Sequence, residues 1–94
     1  TALVKDEIKT VAVCGGSGSF LLQNAIVEKA DIFITADFKY HEFFDAENHI
    51  IIADIGHYES EQFTKDLIYD LLTDNFTKFA VRLSKVNTNP IKYL

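Results

Sequence analysis

The sequence has no methionine, one cysteine, one arginine and one proline in 94 residues. Each scarcity excludes something. A lone cysteine, Cys14, cannot form an internal disulfide, and the chain is expected in a reducing, cytoplasmic compartment. With Arg82 as the only arginine and no basic stripe, direct nucleic-acid binding by this segment is not expected. No apolar run is long enough to cross a bilayer, and the start carries no signal-peptide pattern, so no membrane association is expected. Without methionine and with Thr1 at its head, the chain is expected to be a piece of a longer protein. A site shared with the remainder would then look incomplete here.

What is present is enough for one modest core. Apolar residues make up 48% of the chain, and the formal net charge is −5. That apolar content is too high for a disordered chain. The length allows a single domain that buries roughly two-thirds of the surface it exposes when unfolded.

Residues 1–9 are polar and mixed and read as a lead-in. Residues 10–14 (TVAVC), 32–36 (IFITA) and 49–53 (HIIIA) are short runs rich in β-branched residues, and each reads as a buried strand. Residues 80–84 (AVRLS) are expected to form a fourth strand. Helical spacing covers residues 21–30 and, with Asp37 as a cap, residues 37–48. The longest helix is expected over residues 57–75, where Phe63, Leu67, Ile68, Leu71 and Leu72 fall on one stripe. The order is β-α-β-α-β-α-β. Solid apolar strands separated by helices predict an α/β fold with a mostly parallel four-stranded sheet and helices on both faces.

In such a sheet the strand carboxyl ends share one edge, where ligands of open α/β sheets bind. The polar groups of this sequence collect there. The first strand ends in Gly15-Gly16-Ser17-Gly18, the second in Asp37 with Lys39 and His41 following, and the third in Asp54 with His57 and Glu61 following. His57 and Glu61 are one helical turn apart. Extending the stripe of the long helix back to its start turns both inward over the sheet edge. An imidazole and a carboxylate so placed can grip zinc, manganese or iron. The same spacing also suits a helix-start glutamate favoured by the macrodipole beside a capping histidine. His41 and Asp45 repeat the spacing, so the carboxylate could orient the ring. Lys39 and His41 could bind an anion or move a proton, or form a plain solvated face. The glycine turn could present amides to a phosphate, or could be a tight turn needing positive φ. It is neither a dinucleotide fingerprint nor a Walker loop. Cys14 reads as a small buried hydrophobe.

Four motifs, GGSG (15–18), ITADFKYHEFFDA (34–46), DIGHYESE (54–61) and NTNPI (87–91), together resemble the C-terminal half of the NIF-three-like proteins. These are also labelled GTP cyclohydrolase I type 2 homologues, or dinuclear metal-centre proteins. The resemblance implies half of a larger two-part α/β fold, with a two-metal site built between the halves. It implies that His57 and Glu61 are metal ligands and that Lys39 and His41 are pocket residues; Asp37 and Ser17, at the same edge, are further pocket candidates. Where the family has Thr-Gly-Asp, this chain has Thr35-Ala36-Asp37, which keeps the aspartate. The remaining ligands would come from the N-terminal half, the partner of this segment, and the family assembles as a hexamer. Two divalent ions per full-length subunit are expected, bound weakly or not at all by this segment alone. The implied activity is metal-dependent hydrolysis of a nucleotide or phosphoester; the alternative is a non-catalytic scaffold or regulatory protein.

Overall fold

The computed structural model describes residues 1–93. Strand β1 (Val11–Ser17) is followed by a 3-10 turn at Ser19–Leu21 and helix α1 (Leu22–Val27). Strand β2 (Ile32–Ala36), a 3-10 turn at Glu42–Ala46 and strand β3 (Ile51–Asp54) come next. Helices α2 (His57–Glu61) and α3 (Thr64–Asn75) complete the order. The chain divides into two units, Thr1–Ser60 and the residues from Glu61 onward.

The first unit is built on a three-stranded parallel sheet in the order β1-β2-β3. The register aligns Ala12 with Phe33 and Phe33 with Ile52, so these three share a face. Leu22 and Ala25 of α1 and Ala46 of the second 3-10 turn pack into the same cluster. Both connections therefore cover one face of the sheet, as two right-handed crossovers stepping in one direction require. On the opposite face, where helices were also expected, Val11 and Val13 are exposed and Ile51 is buried.

α1 ends in a Schellman motif. Lys29 adopts φ 59°, its amide donates to Ile26 O, and the Ala30 amide donates to Ala25 O. The left-handed position is normally glycine's. Here a lysine takes it, and Ala25 and Ala30 seal the turn in the core.

Asp31 organises the entrance to the sheet. One carboxylate oxygen accepts from the amides of Lys9 and Thr10, each at 2.8 Å, and the other pairs with Lys5. Lys5 first, then the two amides, hold the Asp31 carboxyl well below the usual carboxylate range. A depressed folded-state pKa stabilises the fold above the unfolded value and is lost as pH falls below it. Asp31→Asn is therefore expected to lower the thermal midpoint at pH 7. The gap from wild type should shrink below about pH 4, and parallel melting curves across that range test it.

Several elements differ from the sequence expectation. No fourth strand forms at residues 80–84, and residues 80–93 carry no regular structure. A strand needs a neighbour to satisfy its backbone groups, and local β propensity does not supply one. The helix expected over 37–48 is only the 3-10 turn at Glu42–Ala46. The helix expected over 57–75 is broken at Gln62 and Phe63 into α2 and α3. In the second unit the α3 stripe is exposed at Leu67, Ile68, Leu71 and Leu72, and the Phe76 and Phe79 rings meet edge to face. Among the described residues no helix is long and apolar enough to cross a membrane.

Candidate functional site

The site forms where β1, β2 and β3 end. Thr35 at the end of β2 pairs with Asp54 at the end of β3. Asp37 and His57 follow two and three residues beyond those partners, and their side chains meet: His57 Nδ1 lies 2.5 Å from Asp37 Oδ2. Both side chains are about half exposed. Asp37 was expected to cap a helix, but its carboxylate goes to the imidazole. Asp54 takes the nearby amides, accepting from Phe38 N at 3.0 Å and Gly56 N at 3.1 Å. Each loop is thus tied to the end of β3 by a single carboxylate.

Ser60 locates the backbone of α2 against β1. Its hydroxyl accepts from the Gly16 amide and donates to His57 O, both at 2.8 Å. Gly16 has φ +64°, which favours glycine, and Gly18 N donates to Ala36 O at 3.4 Å. The positive φ expected in the glycine run is found at Gly16, but the run is strand and not a tight turn. β1 runs on through Ser17, and the Gly16 and Gly18 amides serve Ser60 and Ala36, so neither is left to cradle a phosphate.

Gly18 is fixed by crowding. A Cβ there would lie 2.2 Å from Thr35 Oγ1 and 3.0 Å from Cys14 Cβ. Thr35 is fully buried and its hydroxyl donates to Gly16 O at 3.1 Å, so it cannot easily yield. Gly18→Ala is expected to cost about 1–3 kcal/mol by overpacking, read as a lowered midpoint in urea unfolding. Cys14 is half-buried against the core, in keeping with a small hydrophobe.

The other candidates are placed less closely. Lys39 and His41 are exposed on the segment between β2 and the second 3-10 turn. The Lys39 amide donates to Glu42 Oε2 at 2.9 Å. That bond, with a smaller contribution from Ser19, holds the Glu42 carboxyl below its usual range. The His41 ring packs edge to face on Tyr40, which in turn meets Phe44. Asp45 lies in a depression with Gln23, Ile26, Glu47 and His49. Ser17 is exposed at the end of β1. Glu61 ends α2, is exposed, and belongs to the second unit.

The inward orientation expected for His57 and Glu61 is not found. That expectation assumed one helix from residue 57 to 75 with a buried stripe; the helix is broken at residues 62–63, and Leu67, Ile68, Leu71 and Leu72 of the stripe are exposed. The Asp37–His57 contact was missed, since the two are far apart in sequence. The signal was the register of β2 on β3.

Imidazole and carboxylates are the donor types that divalent zinc, manganese or iron prefers. Among the described residues no group of three or more His, Cys, Asp and Glu side chains converges on one point. The chemistry fits part of a metal site, and the number of donors does not complete one.

A family model described as Duf34/NIF3 (NGG1p interacting factor 3) matches residues 2–90. A Staphylococcus aureus protein named GTP cyclohydrolase 1 type 2 homolog is 37% identical, over 94% of this chain and 25% of its own length. A Campylobacter jejuni protein of the same name is 36% identical, over 95% of this chain and 35% of its own. A crystal structure of a Staphylococcus aureus hypothetical protein superposes with TM-score 0.77 at 37% identity, covering 93% of this chain and 26% of the other. The chain thus spans about a quarter to a third of the length of these curated relatives.

Proposed function

The chain belongs to the Duf34/NIF3 family, and from that we propose that it is one part of a two-part fold that builds a divalent-metal centre. The observation that carries the reading is the His57 imidazole at the carboxyl edge of a parallel sheet, engaged through one ring nitrogen by the Asp37 carboxylate. A ligating histidine nearly always has its other nitrogen so occupied. Half-exposure of the pair suits a site finished by other parts of a longer protein. His57 and Glu61 are this chain's ligands, and the remainder of the protein, its N-terminal half, supplies the others. Two ions of zinc, manganese or iron are held per full-length subunit, in a cytoplasmic homo-oligomer, a hexamer.

Bound divalent ions supply Lewis acidity and a water deprotonated near neutral pH. Around them, Lys39 and His41 on the exposed segment after β2 offer a cation and an imidazole for anion binding and proton transfer. Ser17 offers a hydroxyl at the end of β1. This suits hydrolysis of a nucleotide or phosphoester.

Metal analysis of the full-length protein, with anomalous scattering to place the ions, tests the centre: density beside His57 Nε2 is expected, and density elsewhere sinks it. Assays on a phosphoester and nucleotide panel test the chemistry. Turnover that requires the metal is expected; none above the metal-free control would leave a scaffold or regulatory role instead.

A further inference from the structure

We propose that Asp37 is a positioning residue: it fixes His57 as the Nδ1–H tautomer, so that Nε2 is the nitrogen carrying the lone pair. The inference rests on the metal-centre reading for its purpose, but its geometry stands apart from it.

A neutral imidazole has one N–H and one lone pair, and its neighbours decide which nitrogen holds which. Asp37 Oδ2 lies 2.5 Å from His57 Nδ1. An ionised carboxylate only accepts, so Nδ1 donates and carries the proton. Nε2 is then the nitrogen that can bind a metal.

Asp37 holds φ +60°, a left-handed conformation that aspartate adopts more readily than most residues other than glycine, and its carboxylate meets the imidazole from there. The surroundings leave that carboxylate to the ring. Asp54 serves the Phe38 and Gly56 amides, Glu42 serves Lys39, and the hydroxyl of Ser60 accepts from Gly16 and donates to the carbonyl of His57. His57 is thereby located at two points, its backbone by Ser60 and its ring by Asp37.

The test is nitrogen-15 NMR of the imidazoles in metal-free full-length protein, at a pH where His57 is neutral. The two ring nitrogens resonate far apart according to which holds the proton. Wild type is expected to show Nδ1–H. Asp37→Ala is expected to shift His57 toward Nε2–H and to weaken metal binding about 10- to 100-fold. Asp37→Asn tolerates the left-handed backbone but can turn either its oxygen or its NH2 toward Nδ1, so it is expected to lose the strict Nδ1–H preference. Nε2–H in wild type, or a tautomer indifferent to Asp37→Ala, overturns the proposal. So does a tautomer that follows Asp37 while metal affinity follows His57→Ala alone. Failure of the metal-centre reading shows differently: no divalent metal is taken up, while the tautomer still depends on residue 37.

Discussion

Phe33→Ala is expected to remove a large share of the stability of the first unit. Phe33 sits on the middle strand, is 2% exposed, and aligns with Ala12 on one side and Ile52 on the other. Truncating a buried phenylalanine costs about 3–5 kcal/mol, because the lost transfer energy is joined by an unfilled cavity. A domain of ordinary stability has only about 5–15 kcal/mol in all. Ala12 and Ala46 are too small to close the void. The Phe38 ring also rests on Phe33, edge to face at 6.3 Å, and on Phe43 at 5.2 Å. Loosening it would loosen the segment that carries Asp37. Urea unfolding should show a sharply lowered midpoint. Val13→Ala, on the opposite face and 73% exposed, should stay within about 0.5 kcal/mol of wild type. Equal effects at the two positions would mean that the core does not lie on the face assigned to it.

His57→Ala is expected to have the largest effect on metal uptake by the full-length protein. Loss of a ligand should exceed the roughly 10- to 100-fold that loss of its supporting partner costs. The order of affinity is then wild type, Asp37→Ala, His57→Ala. Unfolding midpoints of the metal-free proteins should differ little between His57→Ala and wild type, since the side chain is half exposed. Isothermal titration with zinc or manganese measures the order. Unchanged affinity in His57→Ala would remove the residue from the centre.

How far the sequence alone discloses these features varies by element. β2 was readable to the residue, because IFITA is a solid apolar run with polar residues on either side. β1 was read short. Gly15 and Gly16 looked like a turn, yet the strand continues through them, with an irregularity in register between Val13 and Ser17. The break between α2 and α3 was hidden because the stripe that begins at Phe63 can be extended back through residue 57 without a change of phase. The strand expected at residues 80–84 shows the limit of local propensity: pairing is a property of two segments. Among the candidate residues, the sequence singled out His57 by its spacing to Glu61, but the contact of His57 with Asp37 was not legible, since it depends on two loops that only the pairing of β2 with β3 brings together.

The strands lie side by side in the order in which they occur along the chain. Partners across each ladder, Val11 with Ile32 and Ile32 with Ile51, are about twenty residues apart, so each step closes a short loop at small entropic cost. Parallel sheets are usually slow to assemble because their contacts are distant in sequence. This one can grow by successive local additions, β2 onto β1 and then β3 onto β2. Pairing of β3 with β2 brings His57 against Asp37, so the kinetics of ring engagement should follow those of β3 docking.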